Sequence, residues 1–260
     1  MELTAIRFID SHAHLSSASV LPDISDIVTR AKNAHVDRMI NICTNPITLQ
    51  EGLLLEKTFP QIKNAGATTP HDVEKEGESA FPIFAKAAKG KNLVAIGETG
   101  LDYYYKELNR DIQKQYLIKY LHLALECHLP VIFHCREAFT DLFAITDVEY
   151  QKGAPAILHC FTGSLEEAKQ VIECGWYLSL SGIVTFKNSH ALRAVAKYVP
   201  LNQLLIETDT PYLAPQSQRG KVNEPSYLSE TAECIAKEKG ISVEKVAQAT
   251  FDNASTLFFH

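Results

Sequence analysis

Histidines and carboxylates recur in this 260-residue chain at one kind of place, the end of a short apolar run. His12 and His14 follow the first such run two residues apart, so in extended backbone both side chains point to one side and could grip one cation. Glu98 follows LVAIG, His134 closes PVIF, His159 closes AIL, and Asp209 follows LLIET. Four imidazoles and two carboxylates are enough donors for two divalent cations, drawn from Mg²⁺, Mn²⁺ and Zn²⁺, and the imidazoles favour the borderline metals. Such a pair lowers the pKa of a bound water and neutralises charge on attacking and leaving oxygens, which is the chemistry of metal-assisted hydrolysis. An HxH pair alone fits surface histidines as well as a metal site; recurrence at four further run ends singles out these six. His35, His122, His128, His190 and His260 lie outside this register and are read as structural, whereas His71 is expected at the mouth of the site.

Those run ends need a scaffold that makes them converge. Short runs rich in Ile, Val and Leu alternate with longer amphipathic stretches to about residue 210, a βα pattern. Strands are predicted at residues 5–10, 38–43, 62–67, 93–97, 131–134, 156–159, 176–181 and 204–208, with helices between them. The segment 108–127 carries apolar residues at three- and four-residue spacing, and Ser164 with Glu167 reads as a capping box. An open doubly wound sheet normally has a glycine-rich loop after its first strand, but that turn here reads DSHAHL. The pattern therefore predicts a TIM-type (β/α)8 barrel, a fold of about 250 residues, as one domain over residues 1–260. In that fold the strand C-termini form the mouth where chemistry sits. Residues 215–225 are predicted to be a long loop after the eighth strand.

Around the six candidates lie residues with two readings each. Glu207 precedes Asp209 by two and is expected one layer deeper, orienting a histidine or a water, or else paired as a buried polar residue. Asp102 has the same alternatives. Arg136 could reach a phosphate or tether its own loop, and Arg219 and Lys221 could clamp phosphate from the long loop or remain solvated surface. Tyr103, Tyr104, Tyr105 and Phe161 follow ligand-bearing runs and could stack on a base, although at least two of them are expected to pack. Cys135 and Cys160 directly follow candidate histidines, and strand alternation predicts that they turn away into the core.

Composition narrows the partners. With 25 Lys plus Arg against 31 Asp plus Glu, the net charge of −6 excludes general attraction to nucleic acid, so any such contact must be local. The longest stretches without Asp, Glu, Lys or Arg are 13 residues, too short for a membrane span, so no membrane partner is expected. The N-terminus lacks the basic head and apolar centre of a secretory signal, and six dispersed cysteines without a CxxC pair read as reduced thiols. A cytoplasmic location is the expectation, with no obligate protein partner.

The segments IDSHAHL, AIGETGLDYYY, PVIFHCREA, ILHCFTGS, LLIETDTPYLAP and RGKVNEP, in this order and spacing, resemble the TatD-related deoxyribonucleases over essentially the whole chain. That resemblance implies an amidohydrolase-like barrel in which His12 and His14 bind one metal, completed by Asp209. His134 and His159 bind a second, and Glu98 bridges the two. It also implies a 3′-5′ exonuclease acting on single-stranded DNA ends, with Asp209, Glu98 and Glu207 in the catalytic set. One segment departs from the family. Where Gly-x-His-Pro-His is common, the chain reads GATTPH, which puts Thr69 at the first histidine position and His71 at the second. A threonine can hydrogen-bond a phosphate oxygen but cannot carry a proton near neutral pH. Two other classes stay open from sequence: an ester or amide hydrolase, such as an aminoacyl-tRNA deacylase, and a metal-stabilised binding protein without catalysis.

Overall fold

The structure is a computed structural model that describes residues 6–259. Eight strands run parallel in chain order, β1 (Phe8–Ala13), β2 (Val36–Cys43), β3 (Ile62–Gly66), β4 (Ala95–Asp102), β5 (Val131–Arg136), β6 (Ala156–Leu158), β7 (Tyr177–Leu180) and β8 (Leu204–Ile206). Helices α1 (Ile24–Asn33), α2 (Pro46–Thr58), α3 (Val73–Lys89), α4 (Arg110–Cys127), α5 (Phe139–Glu149), α6 (Leu165–Glu173) and α7 (His190–Tyr198) connect them, and α8 (Leu228–Lys239) and α9 (Val243–Phe258) follow. The ring closes at the mouth. Asp209 N–H donates to the His12 carbonyl at 2.9 Å and His14 N–H to the Thr210 carbonyl at 2.8 Å, with a parallel bridge between Ala13 and Thr210. The barrel, all eight strands and the Ser164–Glu167 capping box agree with the sequence reading. Ala5, the first residue assigned there to a strand, lies outside the described residues. Among the described residues no helix is long and apolar enough to cross a membrane.

Two packed layers hold the strands. Ile9, Ile40, Ile42, Ala65, Ala95, Ile132, Ile157 and Leu205 form one buried cluster with Phe251, Ala254, Leu257 and Phe258 of α9. That helix thus plugs the end where the strands begin, and Arg7 and Arg38 lie over its Phe251 ring. The opposite strand faces pack outward on the helical shell. With one end plugged and the interior filled, only the end where strands finish is left for polar side chains.

Strand boundaries differ from expectation in an informative way. β1 continues to Ala13 and β4 to Asp102, so His12 and Glu98 lie inside strands rather than after them. Both strands carry a register irregularity at those residues, between Asp10 and Ala13 and between Gly97 and Thr99. Bulges of this kind re-aim a side chain. Gly97 and Gly100 make the second one possible, because a Cβ on Gly97 would come within 2.6 Å of Ile132, and one on Gly100 within 1.9 Å of the His134 carbonyl oxygen. β8 stops at Ile206, and Asp209 has a left-handed φ of 61°, so strand alternation does not govern the step from Glu207 to Asp209.

Candidate metal centre

The period of two along three strands explains half of the site. Ile132, Ile157 and Leu205 point into the barrel, so His134, His159 and Glu207, each two residues later, point the same way one layer nearer the mouth. The irregularities in β1 and β4 bring in His12 and Glu98, and the closing turn brings in Asp209. Asp10, buried in β1, ties that turn down by accepting from Thr208 N–H at 3.0 Å and from the Thr208 hydroxyl at 2.5 Å. Burial raises the Asp10 carboxyl to about 7 although these bonds oppose it.

Glu98 stands at the centre. Its Oε1 lies 2.7 Å from His134 Nδ1 and 3.0 Å from His159 Nε2, whereas its Oε2 lies 3.6 Å from His12 Nε2 and 3.8 Å from His14 Nε2. Asp209 Oδ1 is 3.6 Å from His12 Nε2 and 3.3 Å from His14 Nε2. His12, His14 and Asp209 form one compact donor group and His12, Glu98 and His159 a second, while the Glu98 carboxylate also reaches His134 through Oε1. Two further carboxylates back the histidines from outside: His159 Nδ1 meets Glu207 Oε1 at 3.3 Å, and His134 Nε2 meets Asp102 Oδ2 at 2.9 Å. Glu207 Oε1 also accepts from Cys160 N–H at 2.7 Å. His71 Nε2 reaches the same Asp102 oxygen at 2.9 Å, so His71, Asp102 and His134 form a third compact group of donors.

The electrostatics fit a cation site. Burial pushes the Glu98 carboxyl up, but His159, His12 and His134 around it prevail and hold it well below the usual carboxylate range. Burial, reinforced by His159 alongside, pulls His12 below its ordinary value, which favours the neutral imidazole that ligates metals. For His159 burial acts downward, yet Glu98 and Glu207 raise it well above its ordinary value. His12 is fully buried, and among the described residues neither of its ring nitrogens has a hydrogen-bond partner. An unpaired buried polar group costs about 1–3 kcal/mol. A cation held by His12, His14, Asp209 and Glu98 would satisfy it, and the donor set suits such an ion.

Comparison with known proteins decides the family. Residues 9–259 match the family model described as TatD related DNase. The chain belongs to the TatD-related DNase family. A relative 38% identical over 259 residues is the uncharacterized metal-dependent hydrolase YcfH of Escherichia coli (strain K12), with 96% of this chain and 95% of that protein covered. Another, 34% identical over 255 residues and covering 96% and 97% of the two chains, is the 3′-5′ ssDNA/RNA exonuclease TatD of Citrobacter rodentium (strain ICC168). The crystal structure of YJJV, a TatD homolog from Escherichia coli K12, superposes with a TM-score of 0.92 at 26% identity, over 98% of this chain and 99% of that one.

In this TatD-family chain His14, Glu98, His134, His159 and Asp209 line a cavity of about 680 Å³, with His12 buried behind them. Thr69, His71 and Arg136 are among its lining residues. Thr69 donates its hydroxyl to Asp72 Oδ2 at 3.0 Å, and the Arg136 guanidinium lies 3.6 Å from the Tyr104 ring centroid. Four other candidates are held elsewhere. The Tyr103 hydroxyl donates to Asp141 at 2.6 Å, with Arg110 over its ring, and Phe161 is buried against Phe139. Arg219 stacks on Phe186, and Lys221 donates to Gln218 at 2.8 Å. None of these four lines the cavity. Cys135 borders it but is buried in the core cluster as alternation predicts, whereas Cys160 lines it contrary to that argument. Cys160 follows the end of β6 with a φ of 41°, where strand geometry no longer applies. The wall also includes Tyr105 and Tyr212; the first was one of four aromatics considered from sequence, the second gave no signal there.

Proposed function

We propose that this TatD-family metal-dependent hydrolase binds two divalent cations and removes nucleotides from the 3′ end of single-stranded DNA. His12, His14 and Asp209 would hold one cation, His134 and His159 the other, and Glu98 both. The carrying observation is the division of Glu98, one carboxylate oxygen toward each pair of histidines. Cations bound there supply a nucleophile at neutral pH and neutralise charge on the attacking and leaving oxygens. Asp209, at the open side and 9% exposed, takes the proton from the attacking water. Glu207 fixes the His159 ring, and Arg136 receives a non-bridging phosphate oxygen from the cavity wall. The name of the Citrobacter relative supports the substrate class and polarity.

An ester or amide hydrolase is the second reading. Arg136 is the single Arg or Lys among the described lining residues, a modest complement for a polyanion. The deciding experiment measures release of terminal nucleotides from end-labelled DNA and RNA single strands beside hydrolysis of aminoacyl esters, with Mg²⁺, Mn²⁺ and Zn²⁺ varied. The proposal expects metal-dependent loss of nucleotides from the 3′ end, with Asp209→Asn lowering turnover by orders of magnitude in a folded protein. Hydrolysis of esters alone would overturn it.

A further inference from the structure

We infer that Tyr212 forms a nucleobase subsite, the stacking platform for the base adjoining the scissile phosphate. This rests on the nuclease reading above. Of the four aromatics that sequence placed beside the candidate ligands, Tyr103 and Phe161 are engaged in packing and hydrogen bonding away from the cavity, and Tyr105 meets the rings of His71 and Tyr104. Tyr212 is the reverse case, since it lines the cavity while 58% exposed. A large aromatic held in water gains nothing for the fold from its ring, and both faces of any base can stack on one.

The backbone beneath that ring is immobilised. Tyr212 N–H donates to the Asp209 carbonyl at 2.8 Å, and the Tyr212 carbonyl accepts from Asn223 Nδ2 at 2.7 Å. Asn223 is 1% exposed and donates also to the Thr208 carbonyl at 2.7 Å, so one buried amide fastens the turn that carries both Asp209 and Tyr212. The ring centroid sits 5.8 Å from that of His14 at an interplanar angle of 71°, and among the described residues no ring or cation stacks flat on Tyr212. Leu213 and Ile183 add apolar wall beside it, with Gly182 packed so closely on the Leu213 carbonyl that a Cβ would approach to 2.5 Å. Tyr104, by contrast, already has Arg136 over its ring. A nucleotide whose phosphate lies against the His14 side of the centre would therefore meet Tyr212 with its base. The platform carries no pattern of donors and acceptors, so it reads the presence of a base and not its identity.

The test compares the wild type, Tyr212→Ala and Tyr212→Phe on single strands with an ordinary terminal nucleotide and on the same strands ending in an abasic residue. Stacking of this kind is worth about 5- to 100-fold in binding. On ordinary ends KM should rise by that factor in Tyr212→Ala with kcat nearly unchanged, and Tyr212→Phe should match the wild type. On abasic ends all three proteins should share one KM. A binding readout accompanies the kinetics: an oligonucleotide ending in 2-aminopurine, its last linkages phosphorothioate, should lose fluorescence on binding to the wild type and Tyr212→Phe but not to Tyr212→Ala. Equal effects of Tyr212→Ala on both kinds of end, or none on either, would overturn the subsite while nuclease activity stood. A wild type that hydrolyses esters and releases no nucleotide from any strand would overturn the nuclease reading and the subsite with it.

Discussion

Replacing Asp102 by Asn should loosen one of the two proposed cations and leave the other in place. Asp102 Oδ2 lies 2.9 Å from His134 Nε2, and an ionised carboxylate only accepts, so it requires a proton on Nε2 and leaves the Nδ1 lone pair facing Glu98. Asp102 is well placed to stay ionised. Burial raises it, but the bonds from His134 and His71 outweigh that and hold it well below the usual range. Asparagine keeps the shape, and its carbonyl can still accept from Tyr104 N–H, which now reaches Oδ1 at 3.0 Å. Its amide can instead donate to Nε2, which admits the tautomer whose Nδ1–H faces the metal. Losing an orienting partner of this kind typically weakens metal binding about 10- to 100-fold, or about 1.4 to 2.8 kcal/mol. Competition with a chelating indicator would resolve the two affinities, and the loss should fall on the site shared by His134 and His159. Two wild-type affinities in a folded Asp102→Asn protein would refute the orienting role.

Glu98→Ala should lower occupancy at both sites, whereas His159→Ala should empty mainly one, as metal analysis of the purified variants would read; full two-metal content in Glu98→Ala would remove the bridge. Arg136→Ala should reduce the slope of log K against log salt for single-strand binding by about 0.7, the value for one phosphate contact. The Arg219→Ala/Lys221→Ala double variant should leave that slope unchanged, and a drop of about 1.4 would return both residues to the binding surface. Arg30 forks onto Glu224 with contacts of 2.6 to 2.9 Å, and although burial raises Glu224, the Arg30 and Ser226 bonds lower it overall. A lowered carboxyl contributes stability above its unfolded pKa of about 4.3 and loses it as pH falls through the folded value. Arg30→Met should therefore cost about 1 kcal/mol at pH 7, discounted for the half-exposed arginine, and the gap should close on acidification in paired denaturant titrations.

Where local periodicity sets direction, the sequence was legible. The alternation Ile132/His134 and Ile157/His159 carries both the hydrophobic interior and two candidate ligands, so one pattern yields the barrel and the candidate site together. His12 and Glu98 were found for a weaker reason, their residue types at run ends. What aims them is a pair of register irregularities, and no periodicity announces a bulge. Gly97 and Gly100 were the available signal, since two glycines around one acidic residue mark backbone approaching backbone. Cys160 illustrates the same limit from the other side. Alternation turns it away from the site only while the backbone stays extended, and Cys160 itself has a left-handed φ of 41°.

Side chains beyond the strands were legible by type and not by direction. Tyr103, Phe161 and Tyr212 are all aromatic residues close in sequence to a ligand, and composition ranks them equally. Tertiary partners separate them: Asp141 and Arg110 engage Tyr103, Phe139 packs on Phe161, and among the described residues the one ring near Tyr212 is His14, at an angle of 71°. The same holds for the basic side chains, because Phe186 in the loop after β7 holds Arg219, while Arg136 at the cavity wall rests on Tyr104. Asn223 connects these cases. In the sequence it is one polar residue of a loop, whereas in the fold its buried amide fastens the turn bearing Asp209 and Tyr212. A loop that looks solvated thus reaches into the site through its backbone hydrogen bonds, a kind of contact that residue type and spacing do not encode.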